Sequence, residues 1–298
     1  MSHENCLNCE NVPFCNLFQK VDEFEGGELY VLTETINNHI IFPCTALVPL
    51  QCAWYMWDAA VDIITEKSHP DEFDPLILLS SQCFYDLKAS AVLAFTAHYR
   101  NAIQILRPVF ENILIGLYFN ASLANAGKDD IQELSRRFEM WTEHSKPDIP
   151  DYEWLEVMGD DGTPKYKRRL DFKYITKFLR LRGTIDENLE ERLSKLQGHL
   201  NQYIHINYSN LDVGMGDRCP DNPGVTRFDQ DRYNEWIEPF QNIVDLLIIS
   251  LIPYGVSNTP LGKDAIEGLK ELKELDSEHE EQIIINPYLR ETIKNLQI

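Results

Sequence analysis

The apolar residues of this chain recur every three to four positions over long stretches, which is the spacing typical of amphipathic helices. The longest stretch runs from Cys83 to Phe119 and predicts one long central helix. Pro108 lies inside it, and because proline removes a backbone donor we expect a kink or a break between two helices there. Similar patterns predict helices at about 46–65, 129–146, 186–206 and 229–254. The sequence therefore predicts an all-α fold built as a helical bundle.

The chain divides into three segments of different character. Residues 1–35 carry closely spaced cysteines, residues 36–256 carry the helices of the bundle, and residues 257–298 form a charged helical appendage. Within the bundle, residues 147–164 contain three prolines, which predicts a loop insertion with room for one turn. The appendage is expected to dock either onto the bundle or onto a partner protein.

Acidic residues outnumber basic ones by 48 to 27, which gives a net charge of −21. Such a field repels phosphate backbones at long range, so broad binding to DNA is not expected. One stretch, residues 165–182, is basic and contains a single acid, Asp171, among its lysines and arginines. Either this stretch pairs with the acidic surface elsewhere, or it marks where a phosphate-bearing ligand binds.

The N-terminal residues lack the basic and apolar regions of a secretory signal, which favours a cytoplasmic location. The longest uncharged run, residues 40–57, is long enough to cross a bilayer. It contains Pro43 and Pro49, however, and its flanks are acidic where membrane anchors are usually basic. We therefore expect no membrane association and interpret the run as a loop that enters a buried helix.

Four potential metal ligands lie close together at the start of the chain: His3, Cys6, Cys9 and Cys15. Two cysteines separated by two residues can bind one metal at a tight turn, and Cys15 with His3 could complete a tetrahedral site. Zinc is the first expectation for a cofactor, and an iron–sulfur cluster is the second. Because zinc sites usually carry a second close cysteine pair, which is missing here, a packed terminal segment without metal is the alternative.

Two of the predicted helices carry polar residues that share one side. Arg100, Arg107 and Glu111 are seven and four residues apart on the central helix, so they project in one direction. Arg107 and Glu111 are either a structural pair on a core helix or part of a site. On a later helix, Asn201 and His205 are four residues apart near the helix end. Histidine has an ordinary pKa near neutrality, and a helix C-terminus favours its charged form.

A long helix with an Arg-x-x-x-Glu pair, then a helix ending in an Asn-x-x-x-His step, then a loop and an apolar helix, resembles the HEPN superfamily of helical-bundle proteins. The resemblance covers roughly residues 75–255. Many members carry an Arg-Asn-x-x-x-His motif, which Asn201 and His205 match, whereas Leu200 stands at the arginine position. Because leucine cannot bind a scissile phosphate, another cation, Arg107 or Arg192, would have to neutralise the transition-state charge.

The resemblance implies a metal-independent endoribonuclease, or a toxin-type effector of a prokaryotic antiviral defence system, with RNA as the substrate. His205 would act as general base or acid, which contributes a rate factor of about 10² to 10⁴, and Asn201 would orient it or the substrate. Family members commonly pair two such sites across a dimer, so a homodimer is implied. The catalytic candidates are His205, Asn201, Arg107 and Glu111, and the substrate-binding candidates are Arg100, Arg192 and Tyr203.

The same residues allow a second class of function. Without the motif arginine, His205 can be a capping histidine and Asn201 a residue that bonds locally to the backbone. The chain would then be a catalytically inactive helical scaffold or sensor that binds a protein partner. The sequence contains no nucleotide-binding glycine loop, nucleophile elbow or helical metalloprotease motif, which excludes those classes of enzyme.

Overall fold

The computed structural model describes residues 41–67, 74–124, 126–143, 147–204, 218–219, 222–226, 229–255, 260–278 and 287–295. In these ranges the chain is helical apart from connecting segments and one short antiparallel strand pair, β1 (Arg218–Cys219) and β2 (Asn222–Thr226), so the all-α fold class is confirmed. The α-helices are α1 (Ile41–Lys67), α2 (Pro75–Phe95), α3 (Tyr99–Leu123), α4 (Lys128–Thr142), α5 (Asp151–Met158), α6 (Phe172–Leu181), α7 (Glu187–Ile204), α8 (Gln230–Gly255), α9 (Pro260–Glu278) and α10 (Pro287–Asn295).

The predicted central helix is in fact two helices, and the break between α2 and α3 lies at Thr96–His98. There the amide of His98 donates to the carbonyl of Leu93 (2.7 Å), and Ala97 adopts a left-handed backbone with φ of 61°. This is the hydrogen-bonding pattern that commonly ends helices, with alanine in place of the usual glycine. The expected break at Pro108 was wrong, because α3 continues through this exposed residue, where the carbonyl that loses its amide donor can bond to water.

Helix α3 is the centre of the bundle, since it packs against α2, α4, α6, α7 and α8. Its apolar side is almost fully buried, as the three- and four-residue spacing requires. A short polar chain crosses this core: Ser90 Oγ donates to the carbonyl of Ala102 (2.8 Å) and accepts from Trp236 Nε1 (2.9 Å). Because buried polar groups are costly unless bonded, this chain fixes how α2, α3 and α8 pack together.

The first turn of α2 is held by a polar cluster that spans three helices. Asp74 caps the helix by accepting from the amide of Ile77 (3.0 Å), and Pro75 occupies the first helical turn, where its missing amide donor is not needed. The same carboxylate accepts from Asn120 Nδ2 (3.0 Å) on α3 and from Tyr254 Oη (2.9 Å) on α8. These bonds fix the start of α2 against the ends of both neighbouring helices.

The charged C-terminal segment folds back onto the bundle. Helix α9 packs against α1 and α8, and its apolar residues Ala265, Leu269 and Leu272 are fully buried. Arg290 of α10 makes two hydrogen bonds to Asp276 of α9, at 2.7 and 2.9 Å. Of the two arrangements expected for this segment, the structure therefore shows the one in which it docks on the chain itself.

Among the described helices, α2, α3 and α8 are long and apolar enough to cross a membrane, judged by length and composition alone. Each of them buries part of this apolar surface inside the bundle, from 44% of the relevant stretch in α2 to 72% in α8. The residues of α2 and α3 that stay exposed include charged and amide side chains, among them Gln82 and Glu111. Packing between helices therefore accounts for much of this hydropathy.

Helices α2 and α3 approach most closely at Gly116. A Cβ atom added there would lie 2.8 Å from the Cα atom of Leu76, a backbone atom that cannot move independently of its helix. We expect Gly116→Ala to destabilise the fold by about 1–2 kcal/mol, because the packing strain exceeds the gain in helix propensity. Urea unfolding followed by circular dichroism measures this free energy.

Gly198 on α7 is the matched control for this substitution. Apart from the neighbouring backbone of α7 itself, no described atom lies within 4 Å of a Cβ added at Gly198, so Gly198→Ala should stabilise the protein by up to about 1 kcal/mol. If both substitutions stabilise the protein, then α2 and α3 do not approach each other this closely at Gly116.

Candidate functional site between α3 and α7

The polar side of α3 faces the later helix α7, and the two run in opposite directions. Gln104 Nε2 donates to the carbonyl of Tyr203 at the end of α7 (2.9 Å). Arg107, one turn further along α3, shares a cavity with Gln197, which lies earlier on α7. The side of α3 that carries the predicted site residues therefore borders the helix that carries Asn201.

The cavity at Arg107 has a volume of about 330 Å³. Arg107 and Glu111 line it from α3 and Gln197 lines it from α7. A third side is formed at the start of α6 by Leu170, Asp171, Phe172 and Ile175. Its wall combines apolar side chains with these polar groups, which is typical of ligand sites. We call this space, together with the adjoining sides of α3 and α7, the α3–α7 groove.

Arg107 Nε donates to Glu111 Oε1 at 2.8 Å, one helical turn apart, as the spacing predicts. Both side chains are partly exposed, at 32% and 50% of their surface. A pair this exposed contributes only about 0.3–0.5 kcal/mol. An anionic ligand can therefore displace Glu111 from Arg107 at little cost in free energy. Before a ligand binds, the pair with Glu111 keeps the guanidinium at the cavity.

Arg100 lies on the same side of α3, two turns before Arg107 and towards the end of α7. Its side chain is partly buried, and its Nε atom is covered but has no hydrogen-bond partner in the described part of the chain. An unbonded buried donor is unfavourable, so a ligand or a solvent molecule that reached this guanidinium would be stabilised.

Asn201 follows Gln197 by one helical turn, so it lies on the same side of α7, next to the groove, and it is partly buried. His205, the predicted acid or base, lies outside the described residues, immediately after the last residue of α7. Arg107 and Glu111 thus line the cavity of the groove, and helical spacing places Arg100 and Asn201 on the helix sides that continue it.

Gln104 is a groove residue that sequence analysis missed. Its side chain donates to the carbonyl of Tyr203 and so bonds α3 directly to the backbone of α7. The bond ties the last turn of α7 to α3, directly before His205. The signal was present, since Gln104 lies four residues after Arg100 and three before Arg107 and so shares their side of the helix.

Leu200, at the position of the motif arginine, points into the core and is 1% exposed. It continues the apolar stripe of α7, with Leu189, Leu193 and Leu196. This position packs the helix against the bundle, so a charged side chain there would have no access to a ligand.

Two of the substrate-binding candidates lie on the opposite flank of α7. Arg192 lines a separate cavity of about 330 Å³ between α7 and α8, together with His199 and Glu238. Tyr203 is 5% exposed, and burial together with Glu235 raises the pKa of its phenol. The structure does not bring Arg192 or the ring of Tyr203 to the groove, so Arg107 and Arg100 are the predicted site cations that lie on its side.

The basic stretch is partly neutralised by neighbouring acids, as one of the two alternatives predicted. Lys165 and Arg168 both pair with Asp151, and the two cations at the end of α6 pair with acids of α7 and α5. Lys167, Arg169 and Lys173 form no ion pair in the part of the chain that the structure describes. Pairing with the acidic surface is thus confirmed for part of the stretch. The cations that stay unpaired are compatible with the other alternative, a site for a phosphate-bearing ligand.

The proposed metal ligands His3, Cys6, Cys9 and Cys15 lie outside the described residues, so zinc there stays a prediction. Within the described ranges, no group of three or more histidine, cysteine or acidic side chains could hold a metal ion. Two further cysteines, Cys52 and Cys83, are buried and free, and burial raises the pKa of both thiols, which keeps them protonated. Comparisons of the chain with protein-family models, with curated proteins and with solved structures found no match.

Proposed function

We propose that this chain is a HEPN-like, metal-independent endoribonuclease that acts through the α3–α7 groove. The observation that supports this most is the meeting of two predicted site elements in one place. Arg107 of α3 and the Gln197 side of α7, on which Asn201 lies, border the same cavity, and His205 follows at the end of α7. A toxin-type effector in antiviral defence is the role that such an activity would serve.

In this mechanism, the ribose 2′-hydroxyl attacks the adjacent phosphorus, the bond to the 5′ oxygen breaks, and a cyclic phosphate and a free 5′-hydroxyl result. His205 takes the proton of the attacking hydroxyl or gives one to the leaving oxygen. Asn201 orients the histidine or the sugar. Arg107 leaves its weak pair with Glu111 and binds the phosphate oxygens, whose charge grows in the transition state.

Cleavage of a mixed RNA pool in the presence of a chelator tests this function. We expect the wild type to cleave, His205→Ala to lose about 10²- to 10⁴-fold in rate, and Arg107→Ala to lose about 10²- to 10³-fold. Arg107 is partly exposed and pairs only with the exposed Glu111, so Arg107→Ala should keep the fold, and circular dichroism checks this for both variants. The 2′,3′-cyclic phosphate end, detected by mass spectrometry, identifies the chemistry.

Arg136→Ala on α4 is the matched control, since it removes an exposed arginine that pairs with Glu133 and does not line the cavity at Arg107. It should cleave at the wild-type rate. Equal loss in Arg136→Ala and Arg107→Ala would show that only net charge matters, and cleavage that disappears with the chelator would contradict the proposed mechanism.

The inactive scaffold or sensor is the second candidate, and two observations favour it. Leu200 is buried where the motif arginine would stand, and the net charge of −21 disfavours contact with polyanions. A wild-type protein that cleaves no RNA in any of these assays would support this alternative. Sedimentation velocity would test the implied homodimer independently of activity.

A further inference from the structure

One surface next to the groove combines unpaired cations with an exposed aromatic ring. It consists of Tyr166, Lys167, Arg169 and Lys173, and we call it the basic lip. Residues 165–167 form a short 3-10 helix, and Arg169 and Lys173 flank the start of α6. All four residues are exposed to solvent.

The basic lip borders the cavity at Arg107. Leu170, directly after Arg169, lines that cavity, and so does Phe172, directly before Lys173. Two cations of the lip therefore sit beside residues that form the wall of the groove.

The charges of the lip are available, in contrast to those around it. Lys165 and Arg168, its immediate neighbours, pair with Asp151, whereas the three lip cations form no ion pair with any described residue. Two acids are nearby, because Asp171 lies between Arg169 and Lys173 and caps α6 by accepting from the amide of Tyr174, and Asp148 faces Arg169 across an isolated β-bridge, but neither forms an ion pair with the lip. The lip cations attract an anion locally although the whole protein repels one at long range.

Tyr166 adds a stacking surface. Its side chain is 70% exposed, and Lys167 Nζ lies 5.9 Å from the centre of its ring. Proteins that bind single strands combine such exposed rings, on which bases stack, with cations that follow the backbone. A duplex does not offer unstacked bases, and an acidic peptide would use the cations without needing the ring.

We propose that the basic lip binds single-stranded RNA, with Tyr166 stacking on a base and Lys167, Arg169 and Lys173 contacting phosphates, and that it leads the strand to Arg107. This inference rests on the proposed endoribonuclease activity and names the class of substrate that the groove receives.

Fluorescence anisotropy with a labelled 2′-O-methyl RNA strand of about 12 nucleotides tests the lip. This probe lacks the attacking hydroxyl, so binding is measured without cleavage. We expect saturable binding by the full-length protein at about 50 mM salt, with a salt slope near −2 for three phosphate contacts. A duplex of the same length should bind at least about tenfold more weakly.

Two variants test the residues. Tyr166→Ala should weaken binding by about fivefold to a hundredfold, and the triple variant K167A/R169A/K173A should weaken it by about tenfold or more and flatten the salt slope. The control for the ring is Tyr85→Ala, because Tyr85 on α2 is 63% exposed and also has a lysine 5.9 Å from its ring centre. The control for charge is K263A/K270A/K273A on α9. Neither control should change binding.

The outcomes separate the lip from the proposed activity. Binding that fails in the lip variants alone supports the inference, even if the wild type never cleaves RNA. Cleavage by the wild type together with unchanged binding in both lip variants overturns the lip and leaves the activity standing. Three further results would overturn the inference: no saturable binding, equal binding of the duplex, or competition by a polyglutamate peptide together with no effect of Tyr166→Ala.

Discussion

Replacing Leu200 with arginine, the residue that the HEPN motif has at this position, is expected to unfold the protein and not to create a nuclease. Leu200 is 1% exposed and belongs to the stripe that holds α7 on the bundle. Removing such a leucine alone costs about 2–5 kcal/mol, and an unpaired buried cation costs several more. Since domains are stable by only about 5–15 kcal/mol, most of the stability should be lost. Urea unfolding and near-ultraviolet circular dichroism measure it.

Gln197→Arg is the matched control, because it introduces the same side chain one turn earlier, at the edge of the groove. There the guanidinium can stay in solvent, so the free energy of unfolding should change by less than about 1 kcal/mol. Leu200→Ala should fall between the two variants. A Leu200→Arg protein as stable as the wild type would mean that α7 turns a different side to the core.

The packing of Leu200 has a consequence for the proposed mechanism. Because position 200 serves the core, α7 has no arginine there for the phosphate, and the positive charge has to come from another helix. Arg107 and Arg100 of α3 lie on the side that faces the groove, and Arg107 is bound only by an exposed pair. If the chain is a ribonuclease, its site is therefore built across two helices.

The hydrophobic pattern predicted most helices but not where the central one ends. Amphipathic spacing depends only on the order of apolar and polar residues along the chain, so it can be recognised in the sequence. The break at Thr96–His98 depends on Ala97 taking a left-handed backbone, a role usually signalled by glycine. Pro108 gave the opposite error, because it suggested a break at a position where α3 in fact continues.

The site shows the same division between local and long-range information. The Arg107–Glu111 pair follows from a four-residue step, and the sequence predicts it. Arg192 and Asn201 are nine residues apart, which is half a turn out of phase, so the sequence already implied that they face opposite flanks of α7. What no spacing could reveal is which flank borders α3, because that depends on how the helices pack.

A buried charge cluster is a second feature that only packing reveals, and breaking it should have the other large effect. Arg137 of α4 donates to Glu153 of α5 at 3.1 Å, and both residues are buried. Tyr118 and Tyr174 also donate to this carboxylate, at 2.6 and 2.5 Å. Burial raises the pKa of both phenols, so they stay protonated as donors. The cluster ties the predicted loop insertion, which in fact contains α5, to α3 and α6.

Arg137→Met should destabilise the protein by about 3–5 kcal/mol, because it leaves the Glu153 carboxylate buried without a cation. The control is Arg136→Met, one residue earlier, whose pair with Glu133 is 59% and 51% exposed and should contribute less than about 1 kcal/mol. Adding Glu153→Gln to Arg137→Met removes the uncompensated charge and keeps an acceptor for the tyrosines. The double variant should therefore be more stable than Arg137→Met by about 1–2 kcal/mol. Equal losses for Arg136→Met and Arg137→Met in urea unfolding would show that the cluster does not hold α5 in place.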